Sequence, residues 1–245
     1  MSLVSASGFI GGIKEYTYRG IQQLPLVLTS TSLIFMITTG SVAHTNMALG
    51  LGVLVPVYTF VVQGVLGFLL RRFFPDQFAS WTRSTGDTCD LVSSYQTKKL
   101  EFYVKPKFDA SSESVPSYWL MSLAFFIGYS LTNAVDNLTT PAQPSSDENG
   151  HEKRTTQSVF VIVATVLFAL ILLYVRFTYM RGCEGRGWLG ILLSIGCAII
   201  AGLIGYGTYS LSKKCGARSS DLFGIMSQIL PAAATTSNPI VCASE

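Results

Sequence analysis

Apolar residues along this chain gather into five stretches divided by polar segments. LPLVLTSTSLIFMITTGSVA covers 24–43 and ALGLGVLVPVYTFVVQGVLGFLL covers 48–70. PSYWLMSLAFFIGYSLTNAV, SVFVIVATVLFALILLYV and WLGILLSIGCAIIAGLIGYGTYSL follow at 116–135, 158–175 and 188–211. About 20 mainly apolar residues let a helix cross the hydrocarbon core of a bilayer, so each stretch predicts a span. Only His44 to Met47 separate the first two. One unbroken helix through both would be about 70 Å long against a core of ~30 Å, which predicts a transmembrane hairpin over 24–70. A second transmembrane hairpin is expected over 158–211. The expected fold class is all-α, a polytopic transmembrane helical bundle of about five spans.

The details of each stretch refine this reading. Pro116 stands at a first helical position, and Tyr118 and Trp119 beside it suit the headgroup level. The fourth stretch is apolar on every face and ends at Arg176; the fifth opens on Trp188 and closes on Tyr206, Tyr209, Lys213 and Lys214. The first carries Thr29, Ser30, Thr31, Ser32, Thr38 and Thr39. Such hydroxyls bond back to helix carbonyls and are best tolerated inside a bundle.

Between the spans lie segments of different character. Residues 1–23 read as an interfacial amphipathic segment, with Phe9, Ile10, Ile13, Ile21 and the adjoining Leu24 near one helical face, Lys14, Glu15 and Arg19 elsewhere, and Gly11, Gly12 and Gly20 weakening the helix. Residues 71–115 form a polar loop with a helix expected from Asp87 to Leu100, and 136–157 is a turn-rich polar loop. In the tail, 212–245, the residues Leu222, Phe223, Met226, Ile229 and Leu230 predict a short amphipathic helix stopped by Pro231.

Composition agrees with the pattern. Charged residues make up 13% of the chain and hydrophobic ones 49%, with a mean hydropathy of +0.43, whereas soluble domains carry about 25% charge. A net charge of +3 spread over loops gives no basic face, so nucleic acid is excluded as a partner. No signal with a cationic region, short apolar core and cleavage site precedes Leu24, and a retained N-terminus is expected. Lys and Arg number twelve on the side of the N-terminus, the 71–115 loop and the 176–187 loop, against five on the other. The positive-inside rule assigns the first side to the cytoplasm.

Candidate chemistry is sparse. Residues 20–70 contain no Asp, Glu, Lys or Arg, so His44 has no ionisable neighbour at depth and reads as a turn residue beside Thr45 and Asn46. His151 reads as a solvated loop residue. No catalytic residues, metal ligands or cofactor are expected. The spans as drawn hold none of the charged groups that ion-coupled transport or bond cleavage requires. Gln63 and Asn133 read as interhelical hydrogen-bonding groups. The five cysteines form no CxxC pair and read as free thiols, with Cys215 and Cys242 the one pair placed for a bridge. Gly190, Ser194, Ala198 and Gly202 recur every four residues, with Ala201 and Gly205 beside them, a ridge on which another helix, of this chain or of a second copy, could dock. Arg71, Arg72 and Trp81 form a cationic-aromatic collar which, with Tyr118, Trp119 and Trp188, reads as interface anchors. The sequon Asn137-Leu138-Thr139 lies close to the third span, too near the bilayer for glycosylation.

The segments AHTNMALGLGVLVPVYTF and VPSYWLMSLAFFIGYSLTNA resemble parts of the small multispan membrane and minor capsid proteins of large icosahedral double-stranded DNA viruses of the chlorella-virus kind. The likeness spans about the first half of the chain. It implies a non-enzymatic virion protein in the internal membrane, derived from host endoplasmic reticulum, whose loops and termini bind capsid or other virion proteins. A small-solute channel or transporter and a tetraspan-like membrane organiser are the competing expectations.

Overall fold

The computed structural model describes residue 17 and residues 20–74, 116–139, 148–179, 183–184, 188–214 and 221–224. All regular structure among them is helical: α1 (Leu24–Thr39), α2 (Val42–Leu49), a π-helical turn (Gly50–Leu54), α3 (Val55–Phe73), α4 (Tyr118–Thr139), α5 (Glu148–Tyr179) and α6 (Trp188–Lys213). Three helical stretches are both long and apolar enough to cross a membrane: Val42–Phe73, which joins α2 to α3, Glu152–Thr178 and Gly190–Lys213. Their outward faces carry exposed Phe60, Phe68, Phe160, Ile171 and Leu203. Apolar surface on this scale suits an acyl-chain environment.

The chain reverses at Gly40 and Ser41, not at His44 to Met47. Gly40 takes φ 62° and its N–H bonds to the Met36 carbonyl at 3.0 Å. This left-handed cap is cheap only for a residue without Cβ. Past it the helix restarts at once, so His44, Thr45 and Asn46 are helical rather than turn residues. A Cβ on Gly52 would sit 3.7 Å from the Thr29 methyl, so α1 runs antiparallel along the first half of the long helix. Contrary to the expectation of a sheltered position, α1 lies at the edge, with Leu26, Ile34 and Ile37 exposed. Four of its hydroxyls bond within the helix: Thr29 donates to Pro25 O, Ser32 to Leu28 O, Thr38 to Ile34 O and Thr39 to Phe35 O, at 2.6–2.9 Å.

The π-helical turn has a local cause. Pro56 has no N–H to give, and Val55 N–H reaches back to Gly50 O. A proline inside a helix removes one backbone bond, and a wider turn absorbs the mismatch. The Leu51 carbonyl then accepts the Tyr118 hydroxyl of α4 at 3.0 Å. Beside it the Phe125 ring lies directly over Gly50.

The centre of the bundle is α4. Trp119, Met121, Leu123, Phe125, Tyr129 and Ala134 of this helix are almost completely buried. Its 22 residues span about 33 Å, yet it is not among the helices apolar enough to count as spans by composition. Neighbours cover it, so it can carry Ser122, Ser130, Asn133 and Asn137 inward. Its closest partner is α6. A Cβ on Gly128 would collide with the Gly202 backbone, and one on Gly205 with Phe125 O and, at 2.9 Å, Tyr129 N. Both α5 and α6 pack on α4 more than on each other. An apolar cleft of about 400 Å³ remains between them over Leu123, Ala124 and Ile127.

Polar segments also differ from expectation. Helix α5 begins at Glu148, ten residues before the apolar run, and α4 continues to Thr139, so much of the 136–157 segment, His151 included, is helical. The interfacial helix, apart from Thr17 and its end at residues 20–24, lies outside the described residues. So do the helix expected at 87–100 and the tail beyond Gly224.

Gly128→Ala is expected to destabilise the detergent-solubilised protein by about 1–3 kcal/mol, the usual cost of overpacking. Gly64→Ala, where a Cβ meets nothing within 4 Å, should be neutral or slightly stabilising. Thermal unfolding in detergent compares them, and equal melting temperatures would contradict the packing described.

Candidate functional site

Polar side chains collect at the two ends of the bundle. At the end where α4 begins, Ser117 caps that helix by accepting the Leu120 N–H at 3.2 Å. The Ser117 hydroxyl donates to Glu184 Oε1 and its backbone N–H to Glu184 Oε2 at 3.4 Å. A carboxylate at a helix N-terminus is favoured by the unpaired N–H groups and the helix dipole. Arg176, at the last turn of α5, reaches the same carboxylate through Nε and Nη2 at 3.2 and 3.1 Å. Its guanidinium lies 4.8 Å from the Trp119 ring centroid, a cation–π geometry. Both ionised groups are nearly inaccessible, at 1% and 3% exposure. The Trp119 indole N–H donates to Ile21 O at 2.6 Å, and Gln63 Nε2 donates to Pro116 O at 2.8 Å. This end therefore joins the segment before α1 with α3, α4 and α5, and with the loop after α5.

At the opposite end a second network links α2, α4 and α6. Asn46 Nδ2 donates to Ser212 Oγ at 2.7 Å, and Ser212 Oγ lies 2.9 Å from the Tyr129 hydroxyl. That hydroxyl donates to Ala43 O at 2.8 Å. The Tyr209 hydroxyl donates to Asp136, which also pairs with Lys213 at 2.6 Å. Asn137 Nδ2 donates to Asp221 at 3.3 Å, and Leu222 next to it enters the core. The tail thus returns to the bundle at 221–224. The Asn137 side chain is 2% exposed, engaged in packing instead of standing free in solvent.

The sequence-derived residues are distributed as follows. Ala201 and Gly205 are buried, and Gly202 and Gly205 lie against the α4 backbone. Ala198 borders the core, while Gly190 and Ser194 are buried higher on the same helix. Arg71 and Arg72 are exposed on the last turn of α3. Tyr118 and Trp119, expected at the headgroups, are turned into the protein instead, because their polar atoms find main-chain carbonyls there. Trp188 begins α6; Trp81 lies outside the described residues. Cys183 is disulfide-bonded, contrary to the free-thiol expectation, and Cys197 is free. Cys89, Cys215 and Cys242 lie outside the described residues.

Sequence reasoning missed the Arg176–Glu184 pair because Arg176 read as the end of a span. An Arg and a Glu eight residues apart across a short loop were the available signal. No group of His, Cys, Asp or Glu suited to a metal ion occurs among the described residues. No known protein family, curated protein or solved structure matches this chain.

Arg176→Ala should cost about 3–5 kcal/mol, since removing one member of a buried pair strands the other charge. The double variant Arg176→Met, Glu184→Gln should recover much of that loss. Unfolding of both in one detergent decides it; additive losses would show that the two residues do not act as a pair.

Proposed function

We propose that this chain is a structural integral membrane protein of a viral particle, anchoring an internal membrane to the capsid shell through its loops and termini. The observation that carries the structural part is the use made of ionisable groups. Arg176, Glu184, Asp136, Lys213 and Asp221 all tie one element to another at the two ends of the bundle. The viral assignment comes from the resemblance of the first three apolar segments.

In this reading α1, the Val42–Phe73 helix, α4, α5 and α6 each cross the bilayer. Chain direction supports five crossings. The long helix reaches the level of Pro116 at Gln63, α5 ends against the start of α4, and α6 returns to Asn46. Successive helices therefore alternate in direction. Helix α1, at 16 residues, spans about 24 Å and is accommodated by local thinning of the bilayer. Sidedness follows redox chemistry. Disulfides persist in oxidising compartments, so we assign the Cys183 end to that side, opposite to the assignment from the Lys and Arg count.

Purified particles should release the protein to detergent and not to salt, and liposomes containing it should keep the solute permeability of empty ones. Release by salt would overturn membrane anchoring; a protein-dependent flux would favour a channel or transporter. In sealed membrane vesicles, an impermeant maleimide should label Cys183 only from the non-cytoplasmic side and only after reduction. Labelling without reductant from the cytoplasmic side would restore the orientation of the charge count.

A further inference from the structure

Cys183 is disulfide-bonded and fully buried, and Cys197 is free. Three cysteines remain as its partner: Cys89, Cys215 and Cys242. All three lie outside the described residues, so the choice among them follows from where the described chain enters and leaves each segment. Cys183 stands at the end of the bundle where α4 begins. Its neighbour Glu184 meets the Ser117 N–H and hydroxyl and the Arg176 guanidinium there. Cys215 is placed by α6, which runs parallel to α4 with Gly202 level with Gly128. Lys213 is eleven residues beyond Gly202, and Ser117 is eleven before Gly128. About 33 Å therefore separates Lys213 from Ser117 along the bundle. The pairing of Lys213 with Asp136, near the end of α4, agrees. Cys215 follows two residues later, a reach of about 7 Å. A disulfide requires Cα atoms about 4–7 Å apart, so Cys215 does not reach Cys183.

Cys242 is excluded by the membrane and not by length. The tail is held at the same far end, where Asp221 accepts from Asn137 Nδ2 at 3.3 Å. The chain from Gly224 to Cys242 would have to pass the hydrocarbon layer to meet Cys183. Backbone exposed to lipid must be helical. Residues 225–242 carry Gln228, Pro231, Asn238 and Pro239, which neither sustain a helix nor leave about 20 mainly apolar residues in a row. Cys89 meets no such barrier. Helix α3 passes the level of Pro116 at Gln63 and ends at Phe73, and the chain re-enters the bundle at Ser117. The segment between leaves and returns at the Cys183 end. Cys89 is fifteen residues past Phe74, a reach of about 50 Å.

We propose that Cys183 is bonded to Cys89, which fastens the 71–115 segment covalently beside the Arg176–Glu184–Ser117 cluster. The pairing rests on the membrane reading, which bars Cys242, and deepens it: a segment offered to other proteins is braced at the closed end of the bundle. Formation joins the two sulfurs and passes two electrons and two protons to a protein disulfide of the oxidising compartment, which becomes a dithiol. The ring so closed takes in α4 and α5, and long rings restrict the unfolded chain most.

Tryptic peptide mapping of the full chain tests this, with thiols alkylated at extraction, in denaturant and without reductant. Residues 84–98 should be found joined to residues 182–186, and reductant should separate them. Cys215→Ser and Cys242→Ser should keep that link, whereas Cys89→Ser should leave Cys183 open to alkylation. Cys89→Ser, Cys183→Ser and the double variant should lower the melting temperature in detergent by the same amount, because each removes the one bond. Residues 182–186 joined to 215–218 or to 219–245, or Cys183 alkylated in the unaltered chain without reductant, would overturn the proposal. So would melting shifts that add in the double variant. Whether salt or detergent releases the same preparation is read separately, so failure of the membrane reading shows there and failure of the pairing in the peptide map.

Discussion

The bundle depends on the approach of two helical backbones at Gly128, Gly202 and Gly205. In a bilayer, apolar side chains gain nothing by leaving lipid for protein, so helices associate through van der Waals packing and hydrogen bonds at short range. Helices α4 and α6 reach that range because three positions lack a Cβ. Everything else at the centre follows from it. Phe125 and Tyr129 stack on one another along α4 with ring centroids 6.1 Å apart, and the Tyr129 ring meets Tyr209 edge-on at 5.6 Å. The same Phe125 ring fills the space over Gly50, which sets the long helix against the pair.

Polar chemistry is kept to the two ends, where it does different work. The Arg176–Glu184–Ser117 cluster is closed to solvent, its charges shared among partners and its cation covered by Trp119. Such a cluster contributes little net stability against a hydrophobic alternative but penalises other registers, since any slip leaves a buried charge alone. The opposite end is looser. Lys213 is largely exposed, and the tail returns through Asp221 to form a wall of a cavity.

Much of the helical layout was legible, and the differences have particular causes. The long apolar run of α5 and the small-residue periodicity of α6 reflect surfaces facing lipid or backbone, which single-residue properties encode. The turn was misplaced by about four residues because Thr45 and Asn46 are good turn formers in isolation. Gly40, with its left-handed option, stops the helix sooner. Trp119 and Tyr118 read as headgroup anchors because amphipathic rings suit that level, but their polar atoms are equally satisfied by the carbonyls of Ile21 and Leu51. For Tyr118 the choice depends on a carbonyl freed by Pro56, more than sixty residues away in sequence.

The sequence by itself determined that the chain is helical, with helices apolar enough to cross a membrane, and where those helices lie, because hydropathy and helix length are local properties summed along one segment. Only the tertiary structure decided that α4 is central, that Arg176 is a buried partner of Glu184, and that His44 and Asp221 line one cavity. Each of these joins residues from separate segments, and the energy of a buried charge or a shared cavity belongs to the contact and not to either residue.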